Sequence, residues 1–98
     1  MIEGSTKIMR YSDKTIVPIH LVKRSELASR SEAREILSGL ELFKEVILDF
    51  HDIEDIGQAF ADEIFRVFPK MNPATSITAK NANPNVQYWI NRVINIFF

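Results

Sequence analysis

The chain has 98 residues, of which 46% are hydrophobic, 10% aromatic and 26% charged, with a formal net charge of -1. That length closes one small core and excludes a second domain. The absence of cysteine excludes disulfides and thiolate chemistry, and the near-neutral charge excludes a general electrostatic grip on nucleic acid or an anionic membrane.

Two histidines, His20 and His51, are too few for a His-rich metal site. Gly4, Gly39 and Gly57 fit no phosphate-cradling spacing. No apolar run approaches the roughly 18 residues of a membrane span, and no charged-then-apolar leader opens the chain. The expectation is a cytoplasmic protein with no membrane segment, no cofactor and no catalytic residues.

Residues 1–13 read as a polar tail with a candidate first strand, and residues 14–98 as the domain. Residues 7–11 alternate with a period of two, and residues 15–19 are rich in β-branched side chains. Ser12 and Asp13 between them are turn formers, so a hairpin is expected. Pro18 donates no ladder hydrogen bond, which places the second run at an edge or ends it there.

Ser29 and Glu32 stand at capping-box spacing. The stripe Ala33, Ile36, Leu37, Leu40 and Phe43 follows, as on a helix lying on a core. Gly39 marks the end of that helix or is tolerated inside it.

Val46-Ile47-Leu48-Asp49-Phe50 does not alternate, as in a central strand covered on both faces or flanked by helices. Beyond it, Gly57, Phe60, Ala61, Ile64, Phe65 and Phe68 form a second helical stripe. Asp55 and Gln58 have N-cap and N3 spacing, so this helix starts near Ile56, and Pro69 closes it. Phe60, Ile64, Phe65 and Phe68 are expected to pack on Val46, Leu48 and Phe50.

Residues 76–79 form a short strand after the Asn72-Pro73 turn, and Asn83-Pro84 reads as an N-cap with proline at N1. The last stripe is Val86, Trp89, Ile90, Val93, Ile94 and Phe97. The order ββαβαβα implies an α/β fold with about four strands in a mixed sheet. About three helices pack mainly on one face, because right-handed crossovers keep them together.

Charge is unevenly spread. Seven acids and no Lys or Arg lie between Glu45 and Glu63, while the rest of the chain holds 12 bases and six acids. One reading is a metal-dependent or phosphoryl-accepting site on Asp49, Asp52 and Asp55 at the carboxyl end of the central strand, where ligands sit in open α/β sheets. His51 beside Asp49 and Asp52 then reads as a general base. The other reading is a solvated loop whose acids favour the start of a helix.

Arg10, Lys14, Lys23, Arg24, Arg30 and Arg34 make the first half basic, but interleaved aromatics are lacking, so nucleic-acid binding is not expected. Gly57 in an aromatic helix start permits close approach to the strand or by a partner. Gln58, Asp62 and Arg66 share an edge at i, i+4, i+8, with Asp62 and Arg66 a favourable pair. They form either a plain polar face or a recognition face for another protein.

Four segments resemble one family: Ser29-Arg30-Ser31-Glu32-Ala33, Val46-Ile47-Leu48-Asp49-Phe50, Ile56 through Phe68 with its Gly-Gln-Ala-Phe-Ala-Asp-Glu-Ile-Phe-Arg core, and Asn81-Ala82-Asn83. Together they are similar to the STAS-like domain of unknown function, a small prokaryotic family named for the sulfate-transporter and anti-sigma-factor-antagonist fold. The resemblance covers about Lys14 to Val93.

It implies a sheet with helices on one side and a non-catalytic regulatory role. In the anti-sigma antagonists of the wider fold, a loop and the following helix start dock a histidine-kinase-like ATPase, and phosphorylation of a serine there breaks the complex. The corresponding region here is Asp52 through Ala61, and with the polar edge of the following helix the expected partner-binding surface comprises Asp52, Asp55, Gly57, Gln58, Asp62 and Arg66. No hydroxyl lies between His51 and Phe68, so the phosphorylation switch is not carried over. The apolar terminus, with Trp89, Val93, Phe97 and Phe98, either folds back onto the chain's own sheet or serves a homodimer or a docked partner through the last helix or the open sheet edge beside it.

Overall fold

The computed structural model describes residues 16–21 and 27–95. The expected first strand, residues 7–11, lies outside them, as do Arg10, Lys14, Lys23, Arg24, Phe97 and Phe98. The described elements run β1 (Ile16–His20), α1 (Arg30–Leu37), a 3-10 turn (Leu40–Leu42), β2 (Glu45–Asp49), α2, β3 (Ser76–Lys80) and α3 (Pro84–Asn95). Helix α2 starts at Gln58–Asp62, widens into a π-helical stretch, Glu63–Val67, and finishes at Phe68–Met71.

The described strands form a three-stranded sheet in the order β1-β2-β3. Both pairings are parallel, with Val17, Val46 and Ile77 in one row and Pro18, Ile47 and Thr78 in the next. Of the four-strand mixed sheet expected from the sequence, three parallel strands and three helices are described. Among the described strands Pro18 stands on an outer one, and the strand runs past it to His20.

The connections from β1 to β2 and from β2 to β3 carry α1 and α2, and the right-handed rule for parallel crossovers puts two such helices on one face. There α1 packs on α2, and α2 on α3. Strand β2 is central, but its faces differ: Val46 and Leu48 are buried, while Glu45, Ile47 and Asp49 are half-buried. The core joins Val46, Leu48 and Phe50 to Phe60 and Ile64 of α2 and to Val86, Ile90 and Val93 of α3.

The first helix starts as its sequence dictates. The Ser29 hydroxyl accepts from the Glu32 amide at 3.1 Å. The Glu32 carboxylate reaches back to the Ala28 amide at 3.2 Å, one residue before the cap. Gly39, at φ 84°, ends the helix in the left-handed conformation that favours glycine. At α3, the Asn83 side chain accepts from the Val86 amide at 2.9 Å, and Pro84 opens the helix.

Helix α2 departs from the expectation at both ends. It begins at Gln58 with Gly57 as N-cap, not near Ile56. The Asp55 carboxylate accepts from the adjacent Ile56 amide at 2.9 Å, so it is spent before the helix starts.

Pro69 does not close α2, which runs on to Met71 and is capped at Asn72. A proline inside an α-helix clashes with the carbonyl four residues back and leaves it without a donor. Here the preceding turn is π-helical, with the Phe68 amide bonding to the Glu63 carbonyl, and this wider turn accommodates the ring.

The stripes are narrower than expected. Phe60, Ile64 and Phe68 are buried but Phe65 is half-buried, its ring 6.3 Å from that of Phe50. On α3, Val86, Ile90 and Val93 are buried, Trp89 is half-buried and Ile94 is exposed.

Candidate functional site

The carboxyl ends of β2 and β3 and the start of α2 form one surface. The Asp49 carboxylate accepts from the His51 backbone amide at 3.0 Å and from the Asn81 side-chain amide at 2.9 Å. It thereby ties the loop after β2 to the loop after β3. The Phe50 amide bonds to the Lys80 carbonyl at 2.8 Å, and the chain then turns through Asp52 at φ 66°.

Ile53 and Ile56 plug this loop into the core at 4% and 5% exposure. The Asn83 side chain donates to the carbonyls of Ile53 and Glu54 at 3.3 and 3.0 Å. Between these anchors Asp52, Glu54 and Asp55 are exposed.

The start of α2 has no side-chain cap. Its capping acceptor is instead the Ala28 carbonyl, 3.1 Å from the Phe60 amide, while the Gly57 amide donates to the Leu27 carbonyl at 2.9 Å. A Cβ on Gly57 would lie 2.8 Å from the Ala28 Cα. The close approach read from this glycine is made by the segment leading into α1, not by the strand. Gln58, next along, is exposed.

Asp62 and Arg66 lie elsewhere. The Asp62 carboxylate is 12% exposed, 2.8 Å from the Arg30 guanidinium of α1. Arg66 grips it in bidentate fashion, Nη2 to Oδ2 at 2.8 Å and Nε to Oδ1. Glu63, 9% exposed, receives Arg30 at 3.2 Å and Arg34 at 3.3 Å. Two carboxylates and three guanidiniums thus close the seam between α1 and α2.

The expected partner-binding set therefore divides. Asp52, Asp55 and Gln58 share the exposed surface, Gly57 packs against Ala28, and Asp62 with Arg66 belongs to the helix–helix seam. Glu63 was not singled out by sequence reasoning. Its signal was present, because Arg30 and Arg34 stand one helical turn apart, facing an acidic pair on the next helix.

The Asp62 carboxyl is held below the usual carboxylate range by hydrogen bonding from Arg66, against desolvation, and further by Arg30. Arg30 is raised by Asp62 first and then Glu63, and Arg66 by Asp62. An acid whose folded pKa lies below its unfolded value stabilises the fold above that unfolded value of about 3.9 and loses the contribution as pH falls through the folded pKa.

The stability advantage of the native chain over Asp62→Asn is accordingly expected to be flat above about pH 5. It should shrink below about pH 4, by at most about 1.4 kcal/mol per pH unit for one proton. Urea denaturation across that range measures it, and an advantage that persists unchanged in acid would remove the ion pair from the account.

The acidic-loop metal site finds no geometry. Among the described residues, no group of three or more His, Cys, Asp or Glu side chains is placed to hold a metal ion. The His51 ring is 3.5 Å from the Asp52 carboxylate, and both side chains are exposed. Of the basic residues, Arg30 and Arg34 are engaged at the seam.

Of the apolar terminus, Val93 is 1% exposed and sits in the chain's own core. Trp89 is half-buried against Tyr88, the ring centroids 5.0 Å apart. Among the described residues, no helix is long and apolar enough to cross a membrane.

The family model of the STAS-like domain of unknown function matches residues 32–87, more than half of the chain. The match runs from the first turn of α1 to the first turn of α3, and includes the acidic loop, Gly57, the ionic seam and Asn83. No curated protein and no solved structure matches the chain. On that match over most of its framework, the chain belongs to the family of STAS-like domains of unknown function.

Proposed function

We propose that this chain is a non-catalytic regulatory module of the cytoplasm that docks an ATPase domain of the histidine-kinase-like class. The docking surface is the loop at Asp52 and Asp55 together with Gln58 at the start of α2. One observation carries the reading. These polar side chains are exposed on a loop whose backbone is pinned by Ile53, Ile56 and Asn83. A pre-organised surface loses little freedom on association, so its contacts are not offset by ordering.

No serine, threonine or tyrosine lies between His51 and Phe68, so release of the partner depends on something other than phosphorylation there. The exposed acids favour a basic partner face, which makes association sensitive to ionic strength.

Titration of the purified chain with histidine-kinase-like ATPase domains encoded in the same genome tests the proposal. A complex is expected with at least one of them. Asp55→Arg with Gln58→Arg should weaken it at least about tenfold, or about 1.4 kcal/mol. Asp62 is left intact because its substitution would disturb the helix seam. No complex with any such domain would end this reading, and undiminished binding by the double variant would displace the surface.

A further inference from the structure

The ionic seam sits where α2 changes its winding. Asp62 is the last residue of the first α-helical stretch and Glu63 the first of the π-helical one. The Nη1 atom of Arg30 reaches both, at 2.8 Å from the Asp62 carboxylate and 3.2 Å from that of Glu63. Both acids are nearly buried, 9% and 7% exposed as whole residues.

A π turn holds one residue more than an α turn. Passing that residue through the junction would rotate the stretch Gln58–Asp62 by about 100° about the helix axis relative to Phe68–Met71. Such a slip would turn Asp62 or Glu63 away from α1 and take Gln58 out of the surface it shares with Asp55.

We propose that Arg30 is a positioning residue for the docking surface: by bridging Asp62 and Glu63 it holds the winding of α2 and so fixes how the start of that helix is presented. This rests on the docking proposal above for its function, but not for its geometry. Arg30 also lies two residues beyond Ala28, whose carbonyl caps the Phe60 amide. The same short segment therefore holds α2 at its first turn and at its junction.

Arg34 is the internal control. It meets Glu63 alone, at 3.3 Å, from a side chain 65% exposed. Removing Arg30 orphans neither acid, since Asp62 keeps Arg66 and Glu63 keeps Arg34. The fold is therefore expected to survive the substitution.

Amide hydrogen exchange on the full chain tests the inference without any partner. In Arg30→Met the Phe60 and Ala61 amides, bonded to the Ala28 and Gly57 carbonyls, should exchange at least about tenfold faster. The Phe50 amide, bonded to Lys80 across the sheet, should stay within about twofold, and Arg34→Met should move neither.

Unchanged Phe60 and Ala61 exchange would overturn the inference, as would equal acceleration at Phe50, which marks a general loss of stability. Should Arg30→Met fail to fold, Arg30→Lys decides. It keeps the charge but not the planar fork, so an intermediate acceleration confined to Phe60 and Ala61 is expected and none would overturn the inference.

The second arm uses the ATPase domain that binds the native chain. Arg30→Met should bind it at least about tenfold more weakly, and equal binding by a folded variant would overturn the positioning role. If the native chain binds no such domain, the docking proposal alone falls, and the exchange result still judges the winding.

Discussion

Phe60→Ala is expected to cost about 3–5 kcal/mol of folding stability. The ring is 0% exposed in a core shared with Val46, Leu48 and Phe50 of the sheet and with Val86 of α3. Truncation removes most of a buried aromatic side chain and leaves a void among neighbours held by both sheet and helices. In a domain whose total stability is of order 5–15 kcal/mol, that is a large share.

Phe65→Ala is the informative comparison, because the stripe alone ranks the two phenylalanines together. Phe65 is only half-buried, with its ring tilted 31° against that of Phe50. Its loss should cost about 1–2 kcal/mol. Chemical denaturation of both variants measures the order. A cost for Phe60→Ala below about 1 kcal/mol, or a larger one for Phe65→Ala, would mean that the helix turns a different face to the core.

Gly57→Ala is expected to cost about 1–3 kcal/mol, and for a reason of space alone. Gly57 has φ -88° and ψ 162°, an extended conformation open to any residue. Replacing glycine by alanine at such a position ordinarily stabilises by about 0.4–1 kcal/mol through the unfolded chain. Here the new methyl would meet the Ala28 Cα at 2.8 Å and the Ala28 Cβ and carbonyl oxygen at 2.9 Å. These are backbone and near-backbone atoms that cannot swing aside.

The segment must back away, which stretches the bonds from Gly57 to Leu27 and from Phe60 to Ala28. Gly39→Ala provides the contrast: its Cβ would meet nothing within 4 Å, so only the φ of 84° resists it, at about 1 kcal/mol. A neutral or stabilising Gly57→Ala in urea denaturation would show that the segment yields. Adding Ala28→Gly should recover only part of the loss, since the Cα and the oxygen remain.

The sequence was legible where its signals act locally. Ser29 with Glu32, and Asn83 with Pro84, each place a helix start through atoms within four residues, and each start stands where they put it, whereas Gly39, open between end and interior in the sequence, proves to lie just past an end at Leu37. The apolar β2 run identified the central strand for the same kind of reason.

Helix α2 was misread at three points, each decided by something distant or by a change of winding. Its cap is a carbonyl from Ala28, so Asp55 at the expected spacing was a decoy. Pro69 signals an end only if the helix stays α-helical before it, and it does not. The same π turn leaves Phe65 half out of the core.

At the candidate site, the Asp62–Arg66 pairing was read correctly from its spacing, but not the direction in which it faces. That direction comes from Arg30 and Arg34, which composition alone assigned to a basic surface. The exposed set Asp52, Asp55 and Gln58 was legible as residues. Its rigidity was not, because the pins come from Asn83, some thirty residues further along.

That asparagine sets the order in which the surface can come into being. Asn83 binds the Ile53 and Glu54 carbonyls with the same side chain that caps α3 through Val86. A chain emerging from the ribosome as far as the end of β3 already contains Asp52, Asp55 and Gln58, yet lacks the clamp that gives their loop its shape. Closing it is a long-range event that depends on a helix still to be made. The exposed side chains of this loop are thus synthesised some thirty residues before the one that gives the loop its shape.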